Sequence, residues 1–110
     1  MLEEMKLKDV MQLVGLLQNK NEVSNELWQI GKAYFIRTVT MHLIGKLKVI
    51  TNKELLLEDA VWVADSGRFH NALKDGSLNE TEPFVNSVIL NRDCIVDATI
   101  WQHLIPNEQK

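Results

Sequence analysis

The sequence predicts an α+β protein, mainly β: a five-stranded small barrel with an N-terminal helix and a short helical insert between strands three and four. Three observations carry this. The stretch Tyr34–Val63, YFIRTVTMHLIGKLKVITNKELLLEDAVWV, is dense in β-branched and aromatic residues and is broken by two turn signals. Two further extended runs, Phe84–Asn91 and Cys94–Trp101, flank a tight turn at Arg92-Asp93. Ahead of them, Leu7, Val10, Val14 and Leu17 recur at helical spacing within Leu2–Gln18.

Taken in order, the helix gives way to the polar run NKNEVS, where Ser24 can cap a short turn around Trp28. Strand one is expected over Ala33–Leu43, with Phe35, Arg37, Val39, Met41 and Leu43 sharing a face by period-two counting. Gly45 is read as the bend that follows, because glycine tolerates backbone angles closed to other residues. Strand two covers Lys46–Ile50, and Thr51-Asn52-Lys53 makes a turn. Strand three covers Glu54–Val63, with Leu55, Leu57, Val61 and Val63 on one face. After Asp65-Ser66-Gly67, Arg68–Lys74 reads as a short helix burying Phe69, Ala72 and Leu73 and stopping at Gly76. Asn79–Glu82 reads as an acidic loop closed by Pro83, and the chain from Pro106 as a polar tail. Three segments result: a helical 1–29, a small barrel over 30–106 and a tail at 107–110.

The bulk composition narrows the function. The chain has 110 residues, one domain's worth, at 45% apolar and 25% charged. Twelve basic against fifteen acidic residues leave a net charge of -3, which argues against a protein living on a phosphate backbone. The lone Cys94 excludes an internal disulfide and a cysteine-based zinc site within one chain. His42, His70 and His103 lack the spacing of a helical metal motif, and no nucleophile elbow, phosphate loop or dinucleotide fingerprint is present. The expected protein is therefore not an enzyme and carries no cofactor or metal. The acidic start MLEEMKLKD has no signal-peptide pattern, and no apolar run is long enough to span a bilayer, so a cytoplasmic location is expected. A chain this short gains by burying surface in a homo-oligomer.

Two resemblances bear on function. Gly45–Leu47 (GKL), Leu55–Ala60 (LLLEDA) and Val88–Ala98 (VILNRDCIVDA) resemble the strands of the Sm-like small barrels, a fold close to the SH3-like barrels. That resemblance implies a ring of subunits that binds RNA through residues at two turns. Glu54 and Asn91-Arg92 stand where the family carries Asn and Arg-Gly, so a uridine pocket is not expected. The strings YFIRTVT, LEDAVWVADSGRF, EPF and IVDA resemble a widespread family of short phage and prophage proteins of no assigned function, over roughly residues 31–106. This implies a phage setting, where small proteins often act as counter-defence factors.

The candidate ligand-binding residues are Arg37, Trp62, Arg68, Phe69, Asn91 and Arg92. Arginines suit anions, and aromatics on corners can stack a base. Each has a bland alternative. Arg37 can pair with Glu58 or Asp59 on a neighbouring strand, and Asp65 or Ser66 can cap the helix beside a solvated Arg68. Trp62, Phe69 and Trp101 can fill a core, and Asn91-Arg92 can be turn chemistry. The leading expectation is a binding protein that neutralises a host defence protein or sequesters a small nucleotide. An RNA-binding ring comes second and a structural phage subunit third.

Overall fold

The computed structural model describes residues 26–110, and the expected helix over Leu2–Gln18 lies outside them. Six strands build one antiparallel sheet: β1 (Ala33–Thr38), β2 (His42–Ile50), β3 (Glu54–Asp65), β4 (Glu80–Pro83), β5 (Val88–Asn91) and β6 (Ile95–Ile100). One short helix, α1 (Phe69–Asp75), separates β3 from β4, and a 3-10 turn, Arg92–Cys94, separates β5 from β6. The strand order is β4-β3-β2-β1-β6, with β5 also paired to β3. Long β3 thus carries β2 on one side and holds β5 and β4 in series on the other. Glu54–Leu57 take β5 and Val61–Asp65 take β4.

The described fold is mainly β, as the strand-forming runs predict, but its sheet is open and six-stranded rather than a closed five-stranded tube. A 3-10 turn, not a hairpin, connects β5 to β6. Its first residue is fixed by the Asn91 side chain, which accepts from the Asp93 N–H at 2.9 Å. The chain swings away after β5 instead of folding back. β5 stays on β3, β6 reaches β1, and no ladder joins β5 to β6 among the described residues.

The first turn also lies elsewhere than Gly45. β1 ends at Thr38, whose Oγ1 accepts from the Met41 N–H at 3.0 Å and donates to the Met41 carbonyl at 2.9 Å. This hydroxyl-closed turn needs no glycine. Gly45 instead sits buried in the middle of β2. A Cβ placed on it would lie 3.0 Å from Leu57 Cβ and 3.2 Å from Ala60 Cβ, so its role is close approach between β2 and β3.

Opposite Gly45 the register slips, and Asp59 takes a left-handed φ of 54°. An extra residue in one strand moves every later side chain to the other face. Leu55 and Leu57 therefore pack with Tyr34, Ile36, Leu43 and Leu47 in one core. Val61 and Val63 join Phe35, Ile44, Leu78 and Trp101 in a second. Counting by two placed all four β3 residues on one face, and the bulge splits them. The sheet so buries apolar side chains on both faces. The second core is covered by Ala72 and Phe69 of α1 and by the chain after β6. α1 falls within one residue of its expected range and ends on Gly76 at φ 77°, whose N–H donates to the Ala72 carbonyl.

Where a polar loop was expected, Glu80–Pro83 pairs with β3 as β4. Its far side is bridged by the chain end, where Thr81 and Lys110 exchange backbone hydrogen bonds at 2.9 and 3.1 Å. Thr81 is fully buried and its hydroxyl has no hydrogen-bond partner among the described residues. A buried orphan hydroxyl costs about 1–3 kcal/mol. Thr81→Val keeps the shape and removes the orphan, so it should raise the urea midpoint, whereas an unchanged or lower midpoint would show that the hydroxyl is satisfied in solution.

Candidate functional site

The six candidate residues do not converge on one place. Asn91 and Arg92 lie at the end of the sheet formed by the β2–β3 turn. The Arg92 guanidinium donates to the Thr51 carbonyl at 2.7 Å and pairs with Glu26 at 2.7 Å, while its backbone N–H donates to the Lys53 carbonyl. These contacts fasten the 3-10 turn to its neighbours and occupy the guanidinium. Trp62 is eight residues along β3 from Glu54, the partner of Asn91, which is roughly 26 Å at a strand's rise.

Arg37 and Phe69 form a second group. The Arg37 guanidinium binds Asp97 through two hydrogen bonds, Nε to Oδ1 at 2.8 Å and Nη2 to Oδ2. It also lies over the Phe69 ring, 4.7 Å from the centroid, and Phe69 meets Phe35 edge to face. The pairing with Asp97 follows from β6 lying beside β1, where the two residues are cross-strand partners. The anticipated partner Glu58 pairs with Lys48 instead. Asp97's carboxyl is held below its ordinary value chiefly by the hydrogen bond from Arg37. Desolvation opposes this, and the charges of Arg37 and His42 assist it. Arg37 is raised in turn by the hydrogen bond from its side. Arg68 is exposed just ahead of α1 and makes no side-chain capping bond to it.

Trp62 belongs to a third place, and a different one. Strand alternation turns it away from buried Val61 and Val63. There it lines a groove of about 370 Å³ with Met41, Glu82, Pro83 and Phe84. Met41, Trp62 and Phe84 are each 39% exposed, and Val85 beside them is almost wholly exposed. A second groove of about 490 Å³ shares Pro83 and Phe84 and continues past Asp59 and Ala60 to Ile105, Pro106 and Asn107. Phe84 stands between the two, fixed at its backbone by an N–H donated to the Ala60 carbonyl at 2.9 Å. The two grooves meet at Pro83 and Phe84.

No family model, curated protein or solved structure matches this chain. The site must therefore be read from its own chemistry. Among the described residues no group of three or more His, Cys, Asp or Glu is placed to hold a metal ion. Cys94 is half-buried, with its thiol against the Asn91 carbonyl at 3.0 Å. His103 is within hydrogen-bond distance of the Leu73 carbonyl at 2.8 Å and packs edge-on against Trp101. Both side chains are thus tied into the turn or the tail that they join. Among the described residues, no helix is long and apolar enough to cross a membrane.

Sequence reasoning found Trp62 but not its neighbours. Met41 was expected inside strand one and Phe84 at the start of strand four. The available signal was the pair Pro83-Phe84: proline ends a ladder, so the aromatic after it leaves the sheet and stands at its margin.

Proposed function

We propose that the protein is a non-enzymatic binding protein that works by covering a surface of another protein, with Met41, Trp62 and Phe84 as its contact residues. The carrying observation is this half-exposed cluster, with Trp62 on β3 and Met41 and Phe84 next to the ends of β2 and β4, and with two aromatics of the kind that dominate protein interfaces. The resemblance to short phage proteins supplies the setting, a counter-defence factor that neutralises a host protein. The form in which a small nucleotide is sequestered is less well supported, because Arg37 is committed to Asp97 and Arg92 to Glu26. An RNA ring is less supported for the same reason and because the chain is acidic.

The finer fold reading is an open relative of the Sm-like and SH3-like barrels. It is supported by a meander flanked by two strands that a 3-10 turn connects. Among the described residues β5 and β6 each pair on one side only, and such free edges favour assembly of several copies.

A photo-crosslinking residue placed at Phe84, with a control at exposed Lys48, tests the contact surface in bacterial cells. One discrete cross-linked protein is expected from position 84, lost when Trp62→Ala is added. The same products from both positions would overturn the reading. The native mass should show no bound nucleotide, and a co-purified nucleotide would return the sequestering form to first place.

A further inference from the structure

The two grooves beside Phe84 share an electrostatic character that narrows the partner. Each contains one carboxylate on its wall, Glu82 in the groove with Trp62 and Asp59 in the groove with Pro106. Among the described residues, neither groove is lined by a lysine or arginine. Among the described residues neither Asp59 nor Glu82 has an ion-pair or side-chain hydrogen-bond partner, although the acids Glu58, Asp97 and Glu26 are all paired. Two carboxylates without a partner among the described residues therefore line the two grooves that share Phe84, one in each.

From this we infer that the partner segment is a basic, apolar peptide: one that sets an aromatic or aliphatic side chain against Trp62 and Phe84 and a Lys or Arg on each side of it, toward Glu82 and Asp59. The inference rests on the reading of this face as a protein contact surface. Complementary rim charges steer encounter and choose between partners more than they add affinity. The same charges repel phosphate, so a nucleic acid or an anionic lipid surface is disfavoured on this face. The position of Asp59 is itself informative. It occupies the left-handed conformation at φ 54°, which Asn and Asp tolerate better than other non-glycine residues and which glycine adopts freely. Glycine would make the same bulge without a charge.

A printed array of random-sequence twelve-residue peptides, probed with the full chain, tests this. Retained peptides should be enriched in Lys or Arg next to aromatic or large aliphatic residues, and retention should weaken as salt is raised. The double variant Asp59→Asn, Glu82→Gln keeps side-chain shape, and Asn accepts the left-handed backbone. It should bind the retained peptides roughly three- to tenfold more weakly and lose the preference for basic ones. The variant Trp62→Ala, Phe84→Ala should lose retention altogether. Apolar peptides held without regard to charge, and equally by the Asp59→Asn, Glu82→Gln variant, would overturn the inference but leave the contact surface standing. Retention indifferent to Trp62 and Phe84, or no retention at all, would overturn both.

Discussion

Trp101→Ala should cost about 3–5 kcal/mol of stability, the range for removing a large buried aromatic, and Trp62→Ala should cost little. The two indoles are chemically equal and sit in opposite circumstances. Trp101 is 3% exposed. Its ring packs at 5.9 Å from Phe35, and its Nε1 donates to the Leu104 carbonyl at 3.2 Å. Removing it opens a cavity beside Phe35 and frees the chain after β6 from the second core, where Ile105 also packs. Trp62 loses only a half-exposed contact with Met41 and Phe84. Urea unfolding of the two variants separates the roles. A loss of about 3 kcal/mol is a large part of the roughly 5–15 kcal/mol that holds a domain together. Equal losses would mean that Trp62 is a core residue, and the proposed contact surface would lose its centre.

Much of the fold was legible because strands announce themselves locally. β-branched and aromatic residues mark β1 and β3, and Thr51-Asn52-Lys53 marks the turn between β2 and β3. The short helix was legible from Phe69, Ala72 and Leu73 followed by Gly76, since both the buried stripe and the left-handed stop are local facts. What sequence did not disclose depended on distant chain. Gly45 looks like a turn until Leu57 and Ala60 are known to lie against it. The bulge at Asp59 carries no glycine to mark it, so counting by two ran straight through a change of face. Closure of the tube is expected from five strand segments alone, but which strand lies beside which, and so whether the sheet closes, depends on pairings between distant parts of the chain.

The site divides in the same way. That Arg37 would be paired was readable from its place among apolar residues, but its partner came from β6, which only the strand order brings alongside β1. Trp62 was readable as an indole at an alternate strand position. Its neighbours Met41 and Phe84 come from two other segments and meet it only because β4 lies beside β3 and the turn after Thr38 is short. A surface cluster of this kind has no periodicity of its own.

Gly45→Val should destabilise the protein by about 3 kcal/mol, at the upper end of the cost of overpacking. Valine favours strands, so by propensity alone the change in the middle of β2 would be welcome. Geometry decides otherwise. The first added carbon would already lie 3.0 Å from Leu57 Cβ and 3.2 Å from Ala60 Cβ. Those atoms are fixed to the backbone of β3 and cannot rotate away, and valine's two methyl groups need room beyond them. The strands would have to separate at the point where the Asp59 bulge shifts the pairing, which would disturb Leu57 in one core and Val61 in the other. Lys46→Val, one position along on the exposed face, supplies the control, because the same residue there meets no such contact. With a urea slope of roughly 1–3 kcal/mol per molar, the Gly45 variant should unfold about 1 M or more earlier than the parent, and the Lys46 variant close to it. Equal midpoints for both would mean that β2 and β3 do not approach closely at Gly45. The bulge would then lose its reason, and so would the two-sided core that turns Trp62 outward.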